Sequence, residues 1–149
     1  MKLQLQPKAQ LQAQSAEDTS HLLGQIAQRF PALQGTLRAL TEGEEEEILA
    51  ERFLQEQGEG MLAQFYYVME WLKKQALICY KTELIALFPF NDQFAPLARM
   101  QEGRYHFSPF ALLRSVEGQM IVETPLSAAR VQLTQEGALT LLNLFCKPT

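Results

Sequence analysis

Met61-Leu62-Ala63-Gln64-Phe65-Tyr66-Tyr67-Val68-Met69-Glu70-Trp71-Leu72-Lys73-Lys74 is the stretch that decides the fold. Leu62, Phe65, Tyr66, Met69 and Leu72 recur at three- and four-residue spacing, which is one face of an α-helix. Tyr67, Val68 and Trp71 form a second stripe beside it. A helix that is apolar on more than one side is buried on more than one side or binds something. Lys73 and Lys74 close the stretch, where positive charge complements the carbonyl end of the helix dipole. Gly58 and Gly60 stand just before it and end whatever precedes.

Upstream, the pattern predicts two further helices. Leu22, Leu23, Ile26 and Phe30 precede Pro31, which is suited to the first turn of a helix. Leu33, Leu37 and Leu40 then share a face, and Gly43 marks a break. Thr41 and Glu44 have the spacing of a capping box. The run Glu44 to Glu47 loads the next helix start with negative charge, the favourable end for carboxylates. It reads more simply as that than as a metal site. Ile48, Leu49, Phe53 and Leu54 carry that helix onward. At the N-terminus Leu3, Leu5, Ala9, Leu11 and Ala13 alternate with polar residues, the period of a half-buried strand. Pro7 interrupts it and predicts an edge strand or two short ones.

Downstream, Leu77 to Tyr80 and Leu84 to Phe88 read as two strands turning at Lys81-Thr82-Glu83. Strands, three helices and a hairpin make an α+β unit of winged helix-turn-helix type. Residues 61–75 take its recognition-helix position and 78–88 its wing. A DNA-reading version shows Arg, Lys, Asn or Gln on the outward face of that helix. Here the face carries Tyr67, Glu70 and Trp71. Residues 1–90 form this first unit, 91–104 a linker with Pro96 and Gly103, and 105–149 the start of a second, similar unit. In that second unit Tyr105 to Val116, Gln119 to Glu123 and Arg130 to Leu133 are strands, with Glu117-Gly118 as a hairpin turn. Thr134 caps a final helix bearing Leu139, Leu142 and Phe145. Three strands and one helix are a poor core alone, so either they pack on the first unit or the polypeptide continues beyond Thr149, and the second is the expectation.

Composition narrows the function classes. With 47% apolar residues among 149, the chain has enough to bury a core. A net charge of −4 argues against nucleic acid as the main partner, because phosphate binding draws on surplus Lys and Arg. No apolar run approaches the ~20 residues that span a bilayer, and the start lacks a signal-peptide apolar region. Cys79 and Cys146 lie in apolar stretches and read as buried, reduced thiols of a cytoplasmic protein. His21 and His106 have no Cys, Ser or carboxylate partner at a recognisable spacing. There is no glycine-rich phosphate loop and no nucleophile elbow. The residues therefore assign no catalytic, cofactor or metal group. Tyr67, Trp71 and Lys74 lie at i, i+4 and i+7 along one helix face, and could line a peptide groove; the simpler reading is that Tyr67 and Trp71 pack against the second unit or a further domain.

The segment Ser108-Pro109-Phe110-Ala111-Leu112-Leu113-Arg114 resembles a known pattern when read with Val122-Glu123-Thr124-Pro125-Leu126 and Ala129-Arg130-Val131-Gln132-Leu133. It is similar to the region ahead of the flavin domain in SagB-type dehydrogenases, the thiazoline and oxazoline oxidases of cyanobactin and related peptide pathways. Family members carry a Ser-Arg-Phe-aromatic-Leu-Arg strand, a Glu-Ser-Pro strand and an Arg-Val strand before a helix. This chain has Pro109 where Arg is usual and Thr124 where Ser is usual. Ala63 to Lys74 also resembles the third helix of the first winged-helix unit in such enzymes, and the likeness spans most of Thr36 to Phe145. It implies peptide-recognition-like N-terminal units followed by a nitroreductase-like FMN domain that removes two hydrogens from an azoline. The FMN would sit outside these residues, and an azoline-containing precursor peptide would be the partner. A homodimer stays open. The competing readings are a stand-alone peptide-recognition module and a winged-helix transcription regulator.

Overall fold

The computed structural model describes residues 1–6, 21, 23–91, 94, 108–116 and 118–145. They form a mixed α+β fold around one seven-stranded antiparallel sheet. In chain order the elements are β1 (Lys2–Leu5), α1 (residues 23–29), α2 (Gln34–Glu42), β2 (Glu44–Glu45), α3 (Glu46–Gln57), α4 (Leu62–Lys74), β3 (Ile78–Lys81), β4 (Ile85–Pro89), β5 (Leu112–Val116), β6 (Gln119–Glu123), β7 (Ala129–Leu133) and α5 (Gln135–Phe145). The sheet order is β2-β1-β3-β4-β7-β6-β5.

The main core lies between the helices and one face of β1, β3 and β4. Strand residues alternate faces, so Leu3 opposite Tyr80 and Leu5 opposite Ile78 point the same way. Leu3, Ile78 and Tyr80 are buried there against Leu33, Leu37 and Leu40 of the second helical segment, Leu49 and Phe53 of α3, and Phe65, Val68, Met69 and Leu72 of α4. Phe65 is sealed off from solvent, with its ring 5.4 Å from Phe53 and edge-on to Tyr66 at 5.2 Å. The apolar stripe on α4 is thus shifted from the sequence reading. Val68 belongs to the core and Tyr66 sits nearly half exposed at its rim, because the buried arc is centred between the two expected stripes.

Local chemistry explains the element ends. Pro31 opens a 3-10 turn, Pro31–Leu33, that runs into α2. Gly43 at φ 87° and Gly58 at φ 81° end α2 and α3 in a backbone region that favours glycine. The expected capping box is not made. Thr41 lies in the last turn of α2 and donates back to the Arg38 carbonyl at 2.6 Å, while Glu44 and Glu45 extend as β2. That extension corrects the reading of β1 as an edge strand. Lys2 pairs with Glu45 and Leu3 with Glu44 on one side, and all four residues of β1 pair with β3 on the other. Residues 7–20, with the rest of the alternating run, lie outside the described residues.

α4 ends in a Schellman arrangement. Leu77 N donates to the Leu72 carbonyl and Ala76 N to the Lys73 carbonyl, with Ala76 at φ 52°. Buried Gln6 pins this corner, its side-chain amide donating to the carbonyls of Ala76 and Pro89, both at 2.9 Å.

The hairpin β3–β4 is present as expected, but it is not a free wing. β4 pairs along its whole length with β7, from Ile85 opposite Leu133 to Pro89 opposite Ala129. β6 then pairs with β7 and β5 with β6, closing over a turn in which Gly118 has φ 80°. The first strand of this half is Leu112–Val116, with a turn over 109–110 ahead of it. Residues 105–107 of the expected longer strand lie outside the described residues. Thr134 caps α5 as expected, its Oγ1 accepting from Gly137 N at 3.0 Å. Thr134 also donates twice to the Leu84 carbonyl, from N at 2.9 Å and Oγ1 at 3.0 Å. Most of the linker 91–104 lies outside the described residues, as does Cys146.

Candidate peptide grooves beside the fourth helix

α4 separates two grooves. One lies between α1 and α4, with a volume of about 170 Å³, and Ile26, Phe30, Tyr67, Val68 and Trp71 supply its apolar lining. Ile26 and Val68 are buried and make its floor. Tyr67 stands 65% exposed on one wall, and Trp71, partly buried against the core, continues that wall one turn on. The wall exists because residues four apart on a helix stack along one face. Gln25 and Arg29 of α1 complete the lining. The Arg29 guanidinium rides 5.4 Å above the Phe30 ring.

The second groove is larger, about 510 Å³, and lies across α4 between β1, the start of α3 and β3. Leu3, Tyr80 and Phe94 give it an apolar floor, and Glu45, Glu46, Glu47, Glu70, Lys73 and Lys74 ring it. Lys73 is held at the centre, its Nζ 2.9 Å from carboxylate oxygens of both Glu46 and Glu70. Burial alone would lower its pKa. The hydrogen bonds and charges of the two glutamates outweigh that and hold the ammonium above its ordinary 10.5.

The acidic run after Gly43 therefore behaves as a helix start stitched down by ion pairs. Glu44 takes Arg52 at 3.5 Å, Glu45 the N-terminal amine at 3.3 Å and Glu46 takes Lys73. Among the described residues no three His, Cys, Asp or Glu side chains converge as a metal site.

Of the three residues expected to line one peptide groove, the structure brings two together. Tyr67 and Trp71 share the α1–α4 groove, whereas Lys74 lines the groove on the other side of α4. The i, i+7 spacing carries Lys74 along the helix and also off the aromatic face. The sequence reading missed Gln25 and Arg29. Ile26 and Phe30 were visible as an apolar face, but nothing local to α1 reveals that its polar flank turns toward α4.

The other reactive groups are quiet. His21 Nε2 lies 2.9 Å from the side-chain nitrogen of Gln25, four residues on. Cys79 is a buried free thiol, and burial pushes its pKa above the ordinary 9.0, away from the nucleophilic thiolate. His106 lies outside the described residues. No helix among the described residues is long and apolar enough to cross a membrane.

No protein-family model matches the chain, and no curated protein matches it significantly.

Proposed function

We propose that this chain is the peptide-facing, non-catalytic part of an FMN-dependent azoline oxidase of the SagB type. Its first ninety residues are a winged helix-turn-helix-like unit adapted to hold polypeptide. The observation that carries the peptide reading is the α1–α4 groove, where exposed Tyr67 and half-buried Trp71 line an apolar trough on the outward face of the helix in the recognition position. Aromatic side chains of this kind supply large contact area at low conformational cost, which suits a peptide. A volume of about 170 Å³ is below the ~300–1,000 Å³ of a cofactor or drug-like site. It fits a side chain better than an FMN.

The sheet argues against the transcription-regulator reading. A wing that follows a nucleic-acid backbone needs a free hairpin, and β4 is committed to β7 along five residues. The second half supports attachment to a further domain over a stand-alone module. Phe110, Leu112, Leu113, Leu126, Leu139 and Leu142 are all exposed there, and every residue of the outermost strand β5 is exposed. Exposed apolar side chains in this number, spread over both faces of β5 and onto α5, favour contact with a further surface. On this reading it is the side against which the nitroreductase-like flavin domain packs. That domain would take two hydrogens from a thiazoline or oxazoline ring of the precursor peptide.

The test uses the chain together with an FMN-loaded nitroreductase-like partner domain and a thiazoline-containing precursor peptide. Mass spectrometry should report loss of two hydrogens per ring, faster with the chain present and slowed by Tyr67→Ala. Equal rates with and without the chain would refute the clamp role.

A further inference from the structure

The α1–α4 groove carries more information than its shape. Among the described residues Arg29 is the one charged side chain that lines it, and no carboxylate pairs with that guanidinium. This stands out in a chain with 17 acidic and 13 basic residues, where the other groove is ringed by four glutamates. The cation is positioned as well as unpaired among the described residues. It lies over the Phe30 ring at 5.4 Å, at the edge of a trough floored by Ile26 and Val68 and walled by Tyr67 and Trp71. A cavity of about 150 Å³ lined by apolar side chains accommodates one benzene ring. The 170 Å³ here is thus the size of a single large apolar side chain.

We propose, resting on the peptide-clamp reading, that this groove recognises a peptide segment in which a leucine-sized or aromatic side chain is followed or preceded by a carboxylate. The apolar side chain seats between Tyr67 and Trp71, and the carboxylate accepts from the Arg29 guanidinium. The planar fork of arginine matches a carboxylate through two parallel hydrogen bonds. A basic segment is disfavoured by the same charge. The α1 residues therefore set the sign of the peptide, while α4 sets its bulk.

Trp71 is the single tryptophan of the chain, so its fluorescence reports occupancy of this groove directly. The experiment selects a random-peptide display library on the full chain and on its Arg29→Glu and Arg29→Gln variants. Arg29 is exposed, so both variants should keep the parental circular dichroism. The expected result is enrichment of large apolar residues next to Asp or Glu on the parent. Those peptides should shift Trp71 emission, bind about tenfold or more weakly to Arg29→Glu, and weaken as salt is raised. Selection on Arg29→Glu should instead yield apolar residues next to Lys or Arg. Peptides that shift Trp71 emission with no acidic preference, or bind all three proteins equally, would overturn this inference and leave the clamp reading standing. A library from which nothing shifts Trp71 emission would overturn both.

Discussion

Replacing Gly137 by alanine should destabilise the protein, against the rule for helix glycines. Gly137 is the third residue of α5, and an alanine in a helix is ordinarily favoured over glycine by about 1 kcal/mol. Here a Cβ would be driven well inside contact distance of the Leu84 carbonyl oxygen, which is backbone and cannot swing away. The same oxygen receives both hydrogen bonds from Thr134, and Thr134 in turn caps Gly137 N. The cheapest escape is for the first turn of α5 to lift off Leu84. That forfeits the two bonds, at roughly 0.5–1.5 kcal/mol each. Staying in place costs about 1–3 kcal/mol of overpacking. Either route, less the propensity gain, leaves a net loss of up to about 2 kcal/mol, which for a chain of this size lowers Tm by up to roughly 8 °C. Gly24, on exposed α1 with nothing within 4 Å of its would-be Cβ, is the matched control, and Gly24→Ala should stabilise by up to about 1 kcal/mol. Thermal and urea unfolding read the two signs. Hydrogen exchange of the α5 amides should speed up in Gly137→Ala alone. A Gly137→Ala protein as stable as its parent would refute the account of how α5 is docked.

Phe65→Ala should cost about 3–5 kcal/mol in urea unfolding, because a fully buried ring packed on Phe53 is removed from the main core. Tyr67→Ala, two residues on but mostly exposed, should change the unfolding free energy by less than about 0.5 kcal/mol, so any loss of peptide binding would report on the groove and not on folding. Stability should fall as pH rises above about 9. The pKa values of Cys79, Tyr80 and Lys73 are all raised on folding from ordinary values of 9.0, 10.0 and 10.5, so the native state keeps protons that the unfolded chain has released. Burial is the cause for Cys79 and Tyr80, and the pairing with Glu46 and Glu70 for Lys73. In Cys79→Ala the onset of the decline should move up toward pH 10, as measured by chemical denaturation across the alkaline range.

The candidate site was half legible. Tyr67 and Trp71 are visible because a four-residue spacing of large aromatics on a helix face is a local property. Lys74 was expected on the same groove and lies on the other side of α4, since spacing along a helix fixes the angle between residues but not what packs against each angle. Arg29 was illegible for the same reason, as its partner α4 is more than thirty residues away. The end of α4 was hidden differently. Ala76 takes a backbone angle that usually advertises itself through glycine, and what holds it there is Gln6, brought from the other end of the unit.

The sequence by itself determined which stretches are helical, though it counted three helices before the hairpin where the structure has four, together with most strand positions, the glycine stops and the Thr134 cap, because each depends on the period or the chemistry of residues a few positions apart. Only the tertiary structure decided that β1 is enclosed by Glu44–Glu45, that the hairpin is consumed by β7 so both halves share one sheet, and that Leu84 lies under Gly137. Those outcomes depend on which backbone donors and acceptors find each other across forty or more residues. Side-chain periodicity says which face of a strand is buried, and nothing about which strand lies beside its edge.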